Sequence, residues 1–191
     1  MSQRVETRII WQRPIIEVRS TSGGREKITG LAIPYNELSI DLDGFREIVR
    51  PGAFALTLAG DDDVRADVEH DRNVKLARRK NGSLKLIDLP RGLAVEILLP
   101  NTTVGRNTAE EIRAGLLDGM SIGMIVERDE YVTQKNGELV RGIRQAKLTT
   151  VALTQFPAYP QTTGTVAVGI YEWDQSPVSI KRKKLDLLEL V

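Results

Sequence analysis

The chain contains no cysteine among its 191 residues. This absence excludes thiol catalysis, disulfide bonds and every zinc site that is built on thiolates. It also favours an intracellular setting, because secreted folds commonly depend on disulfides. We therefore expect a protein that works in a cytoplasm and performs no cysteine chemistry.

Histidine is almost as scarce, because His70 is the only one in the chain. A single imidazole excludes metal sites that combine several histidines. It also leaves only one side chain whose ordinary pKa lies near neutral pH. Any acid–base chemistry that uses histidine must therefore use His70.

The sequence also lacks a charge excess and a long apolar run. Lysine and arginine total 27, aspartate and glutamate total 26, and the net charge is +1. Such a balance gives no reason to expect binding to nucleic acid or to a membrane surface. No run approaches the roughly 20 apolar residues that span a bilayer, and the first residues lack a signal-peptide pattern. We expect no nucleic-acid partner, no membrane segment and no export by that route.

Most of the chain consists of short segments rich in β-branched residues and separated by turn residues, which is typical of strands. Two short helices are predicted, one over "RPGAFALTLAG" and one over "NTAEEIRAGLLDG". In the second, Thr108 and Glu111 have the spacing of a capping box, and Gly119 can end the helix. Asn136 and Gly137 predict the turn of a long hairpin.

The composition changes at the C-terminal end, where "KRKK" precedes the leucine-rich "LDLLELV". We therefore expect a domain over residues 1–171 and a separate basic, leucine-rich tail over residues 172–191. The tail is predicted to be flexible or removed by self-processing, and an amphipathic helix that docks on a partner is the alternative.

Ser121 and His70 are the candidate reactive side chains. In "VRADVEH" the apolar residues alternate with charged ones, which places His70 on the apolar face of a predicted strand. Ser121 follows Gly119 in "LLDGMSIGMIV" and is predicted to begin the next strand. A serine hydroxyl needs a base within hydrogen-bond reach before it becomes a nucleophile. The residues alone also permit an ordinary packed histidine and an ordinary turn serine.

A series of sequence blocks resembles the HK97-type prohead (procapsid maturation) protease family of tailed bacteriophages. The blocks occur in the family's order from about Ile28 to Thr162 and read "ITGLAIPYN", "FREIVRPGAFALTL", "VEHDRN", "GSLKLIDLPRGLAVEILLP", "AEEIRAGLLDGMSIGM" and "PAYPQT". The resemblance implies a serine protease with a mostly β fold and short helices. It further implies a compact antiparallel β-barrel similar to the herpesvirus assembly proteases.

The same resemblance implies that His70 is the general base and Ser121 the nucleophile. Where relatives carry an acid in a block like "L-x-E-V-S-L-V", this chain reads "LTTVALT", with Thr150 at the place of the acid. A threonine oxygen can hold the imidazole tautomer, but it cannot stabilise the imidazolium by charge. We therefore assign Thr150 as the orienting group, and an acid such as Glu127 is the alternative.

The resemblance implies a phage head maturation endopeptidase that is made in the host cytoplasm and enclosed in the procapsid. Its implied substrates are the scaffold segment of the major capsid protein and the protease itself, and no metal or organic cofactor is implied. Self-association is left open. Two alternatives remain, a catalytically degenerate relative that serves as a head assembly or binding module, and a host-encoded β-barrel.

Overall fold

A computed structural model describes residues 6–9, 16–21, 24–39, 41–42 and 44–155. The predicted tail over residues 172–191 and the last part of the predicted 1–171 domain lie outside the described residues. The strands, in chain order, are β1 (Glu6–Ile9), β2 (Glu17–Ser20), β3 (Glu26–Pro34), β4 (Arg46–Val49), β5 (Arg65–Val68), β6 (Asp71–Arg78), β7 (Leu84–Leu89), β8 (Gly92–Leu98), β9 (Gly119–Thr133) and β10 (Leu139–Thr154). The helices are α1 (Ala55–Ala59) and α2 (Thr103–Arg113).

The larger sheet is organised around the long antiparallel hairpin of β9 and β10. Its strand order is β1-β9-β10-β5-β6, and β4 also pairs with β10. Both β4 and β5 run parallel to β10, β4 along residues 140–143 and β5 along residues 150–153. The C-terminal end of β10 therefore lies between two segments that are distant in sequence, β5 on one side and the start of β9 on the other.

The smaller sheet has the order β2-β3-β8-β7, and all of its pairs are antiparallel. Buried side chains from both sheets and from α2, together with Phe54 just before α1, form one hydrophobic cluster. Its largest fully buried members are Phe54, Ile28, Leu84, Leu93, Ile97, Leu99, Leu117, Met120, Ile122, Met124, Ile143 and Leu148. This core fixes the start of β9, because residues 119–124 are buried on both faces of the strand.

The expected class, mostly β with short helices, is confirmed, but the expected closed barrel is wrong for the described strands. They form two separate sheets rather than one continuous ring. The physical reason lies in β10, whose one side is shared by two four-residue strands, β4 and β5. The sheet branches at this strand, and turn and alternation signals in a sequence carry no information about such a branch.

The second helix begins and ends earlier than its sequence predicts. Its N-cap is Thr102, whose side chain accepts a hydrogen bond from the Gly105 N–H at 3.3 Å. Thr108, the expected cap, lies inside the helix, and its hydroxyl donates to a backbone carbonyl one turn earlier. The helix stops before Gly115, which has a φ of +73°, and Gly119 belongs to β9. Neither described helix is long and apolar enough to cross a membrane.

Candidate active site

His70 lies in the two-residue turn that connects β5 to β6. Val68 pairs with Asp71, so Glu69 and His70 alone form the connection. Their φ values are +51° and +57°, as in the type I′ turns that favour tight hairpins. The sequence predicted a strand that continues through His70 with its side chain on the apolar face. That prediction is wrong, because the strand ends at Val68 and the chain reverses direction there.

The turn is unusual because neither of its residues is glycine or asparagine. Side chains other than glycine rarely adopt positive φ, although histidine does so more often than most. Glu69 supplies the compensating contacts, since its N–H donates to the Leu153 carbonyl at 2.8 Å. Its carboxylate accepts from the Thr154 hydroxyl at 2.8 Å and from the Gln155 N–H at 2.6 Å. These contacts anchor the strained turn to the end of β10.

Ser121 lies near the start of β9, as its sequence predicted, and is fully buried. It pairs with Ala152 of β10, and Ala152 pairs in turn with Asp67 of β5. Residues directly opposite one another on neighbouring strands point to the same face of a sheet. Ser121, Ala152 and Asp67 therefore form one row across three strands, and we call them the cross-strand row.

The turn and the cross-strand row bring the two candidate reactive side chains into contact. The His70 Nε2 atom lies 2.7 Å from the Ser121 Oγ atom, although the two residues are 51 positions apart in the chain. A neutral imidazole that carries its proton on Nδ1 accepts the hydroxyl hydrogen at Nε2. This is the geometry that a serine nucleophile and its general base require.

The surroundings of this imidazole favour its neutral form. Burial lowers the pKa of His70 below its ordinary value, and the nearby Asp67 and Glu69 carboxylates oppose that effect. A general base must be unprotonated to accept a proton, so the net lowering favours the reactive form at neutral pH.

Thr150, the predicted orienting group, is buried and belongs to the same face as Ser121. Its hydroxyl donates to Asp67 Oδ2 at 3.0 Å. Its hydrogen bond therefore reaches a carboxylate that the sequence interpretation did not single out. The alternation of "VRADVEH" assigns Asp67 to a solvent-exposed face, whereas its parallel pairing with the long hairpin buries it. The burial of Asp67 depends on the pairing of β5 with β10, which are distant in sequence, so the local sequence could not indicate it.

The alternative acid, Glu127, is not brought to the site. It is exposed on β9, where its carboxylate accepts a hydrogen bond from the Gln145 side chain at 2.7 Å. Asp71, next to His70 in sequence, is exposed as well, and its carboxylate accepts from the Asn73 N–H at 2.8 Å.

Comparison with known proteins agrees with the geometry of the Ser121–His70 pair. Residues 15–175 match the sequence profile of the caudovirus prohead serine proteases. The chain belongs to this family. The resemblance drawn from the sequence blocks is thereby confirmed, and the match includes every block from about Ile28 to Thr162.

One curated relative is the prohead protease of Enterobacteria phage HK97. It is 30% identical over 150 residues, which are 76% of this chain and 62% of the relative. The chain therefore spans less than two thirds of that relative's length.

A solved structure, that of the bacteriophage T4 capsid assembly protease, has the same fold with a TM-score of 0.52. The superposition covers 81% of this chain and 97% of the T4 chain at 11% sequence identity. At that identity the likeness concerns the fold alone.

Proposed function

We propose that this protein is a serine endopeptidase of phage head maturation, with Ser121 as its nucleophile and His70 as its general base. The observation that carries the proposal is the 2.7 Å contact between His70 Nε2 and Ser121 Oγ. Membership of a serine protease family supports it independently. Thr150 belongs to the proposed site as an orienting group that acts through its hydrogen bond to Asp67.

The proposed reaction proceeds through an acyl-enzyme. The Ser121 oxygen attacks the carbonyl carbon of the scissile peptide bond while its proton passes to His70 Nε2. The carbon–nitrogen bond then breaks, and His70 returns the proton to the departing amine. A water molecule, deprotonated by the same imidazole, attacks the ester and releases the new carboxyl group and the free serine. One imidazole therefore serves both half-reactions.

The proposed substrates are the scaffold segment of the major capsid protein and the protease's own chain, inside a procapsid assembled in the host cytoplasm. Removal of a peptide segment is irreversible, and it eliminates contacts that hold the shell in its immature arrangement. Similarity to the herpesvirus assembly proteases and self-association stay predictions.

Co-expression with the major capsid protein tests this function. We expect the wild-type chain to shorten the capsid protein, and the Ser121→Ala variant to leave it at full length. Ser20→Ala, which changes an exposed serine of β2, is the matched control and should cleave like the wild type. Identical capsid bands for the wild type and Ser121→Ala would contradict proteolysis and favour the alternative, a degenerate assembly module.

The lowered pKa of His70 predicts the pH dependence of cleavage. Protonation of the base stops the reaction, so kcat/KM should rise with pH through the pKa of the free enzyme's histidine. Because burial lowers that pKa, the midpoint of the rise should lie below the ordinary value of 6.5. The measurement is kcat/KM for a capsid-derived peptide between about pH 4 and 9. A midpoint at or above the ordinary histidine value would contradict the account.

A further inference from the structure

Two buried polar atoms stand out because each lacks a hydrogen-bond partner among the described residues. They are Asp67 Oδ1 and His70 Nδ1. Buried polar side-chain atoms in proteins are nearly always paired, so each exception calls for an explanation. When Nε2 accepts the serine proton, Nδ1 carries the ring hydrogen and is a donor, whereas a carboxylate oxygen is an acceptor. The two unpaired atoms are therefore chemically complementary.

The topology brings these two side chains to the same face of the larger sheet. The His70 backbone belongs to the turn after β5, while its Nε2 atom reaches Ser121 on β9. The imidazole must therefore extend across β10, where the small side chain of Ala152 occupies the middle of the cross-strand row. The Nδ1 atom is bonded to Cγ, the ring atom nearest the His70 backbone, and that backbone directly follows β5. Asp67 is the β5 member of that row.

The other oxygen of Asp67 is held in place. Thr150 donates to Oδ2 at 3.0 Å, and the Arg65 Nε atom approaches the same oxygen at 3.5 Å. Burial raises the pKa of Asp67, while the Thr150 hydrogen bond and the charges of His70 and Arg65 oppose that rise. Position 150 thus contributes a hydroxyl that fixes a carboxylate supplied by the neighbouring strand.

We propose that Asp67 is the acidic positioning residue of this site: its Oδ1 accepts the Nδ1–H of His70 when the site closes on substrate, while Thr150 holds Oδ2. The carboxylate fixes the imidazole tautomer in which Nε2 faces Ser121. It also stabilises the imidazolium that forms when the serine is deprotonated. This inference rests on the proposed function, since it assigns a role within the same site. It explains how the chain can dispense with an acid at position 150.

The single histidine allows a direct test that does not depend on proteolysis. In the Ser121→Ala chain, which is expected not to digest itself, nitrogen-15 NMR of His70 reports both its tautomer and its pKa without overlap from other histidines. We expect the Nδ1–H tautomer at neutral pH. The Asp67→Asn exchange should lower the pKa of His70, because a neighbouring negative charge that favours the imidazolium is lost.

Asp71→Asn is the matched control, since it makes the same chemical change at an exposed residue next to His70. It should shift the pKa of His70 much less than Asp67→Asn does. An Nε2–H tautomer in the parent chain would overturn the proposal, and that result needs no variant that might fail to fold. An unchanged His70 pKa in a folded Asp67→Asn chain would overturn it as well.

Kinetics of the active chain provide the second test. Asp67→Asn should lower kcat by about 10²- to 10⁴-fold with little change in KM, and should move the acid limb of the pH profile to lower pH. The paired exchange Asp67→Thr with Thr150→Glu returns the acid to the position used by relatives. The double variant should have a kcat at least about tenfold higher than that of Asp67→Thr alone. A kcat within about twofold of wild type for Asp67→Asn would overturn the proposal.

The outcomes separate this inference from the proposed function. If Ser121→Ala still cleaves capsid protein, the proposed function fails, whereas the tautomer and pKa of His70 remain measurable. If Ser121→Ala is inactive and Asp67→Asn is fully active, the proposed function stands and the role of Asp67 is refuted.

Discussion

Replacing His70 with asparagine is expected to lower peptide hydrolysis by about 10³- to 10⁶-fold while the protein stays folded. The loss follows because the Ser121 hydroxyl would have no base within reach. The fold should survive because asparagine tolerates the positive φ of +57° that this turn position requires. The measurement is kcat/KM on a capsid-derived peptide, together with the free energy of unfolding in urea.

Arg72→Asn is the control for this exchange. It introduces the same side chain two residues later, at an exposed position of β6. It should change neither kcat/KM nor stability by more than a small factor. A His70→Asn chain that keeps more than a tenth of wild-type activity would show that another group is the base.

Replacing Arg141 with methionine is expected to lower the free energy of unfolding by about 3–5 kcal/mol. The Arg141 side chain is only 10% exposed, and its Nε atom donates to Asp129 Oδ2 at 2.6 Å. Its Nη1 atom lies 3.4 Å from an oxygen of Glu47, whose side chain is 3% exposed. The guanidinium also lies over the Tyr131 ring at 5.9 Å from its centroid. Removal of this cation would take a charged partner away from the buried Glu47 carboxylate, whose desolvation it offsets.

Arg144→Met provides a matched control on the same strand. Arg144 also pairs with a β9 carboxylate, since it lies 2.6 Å from Glu130, but its side chain is 53% exposed. Exposed ion pairs typically contribute no more than about 1 kcal/mol, so this exchange should cost little. Urea unfolding of both variants is the measurement. Equal losses of stability would contradict the argument that burial distinguishes the two arginines.

The sequence predicted the long hairpin well because turn chemistry is local. Asn136 and Gly137 indicated the turn, and the structure has β9 and β10 paired on either side of it. Gly137 has a φ of +86°, a conformation that glycine adopts without strain. The placement of Ser121 near the start of a strand was also predicted, although Gly119 is the first residue of β9 and does not end α2.

The turn at His70 could not be predicted in this way. The residues Glu69 and His70 carry no turn signature, and the alternation before them favours a continuing strand. The turn exists because Glu69 is anchored to the end of β10, more than eighty residues later in the chain. Contacts across such a separation leave no periodic trace in the local sequence.

In the first helix, too, the local sequence does not determine which side chains are buried. Its segment contains three large apolar residues, Phe54, Leu56 and Leu58, and Phe54 is fully buried. However, Leu56 is 62% exposed, while Thr57 is buried and accepts the Leu148 N–H at 3.0 Å. A helix of five residues is too short to form a continuous apolar face, so tertiary contacts decide which of its side chains are buried.

The central claim is that His70 activates Ser121 as a nucleophile, and covalent labelling tests it most directly. The oxygen of an activated serine attacks the phosphorus atom of a fluorophosphonate reagent and expels fluoride. The stable adduct that forms on the serine is then located by mass spectrometry. The account predicts one adduct per chain at Ser121, and no adduct in the His70→Asn variant. An adduct at another serine, or no adduct on a chain that still cleaves capsid peptide, would contradict the account.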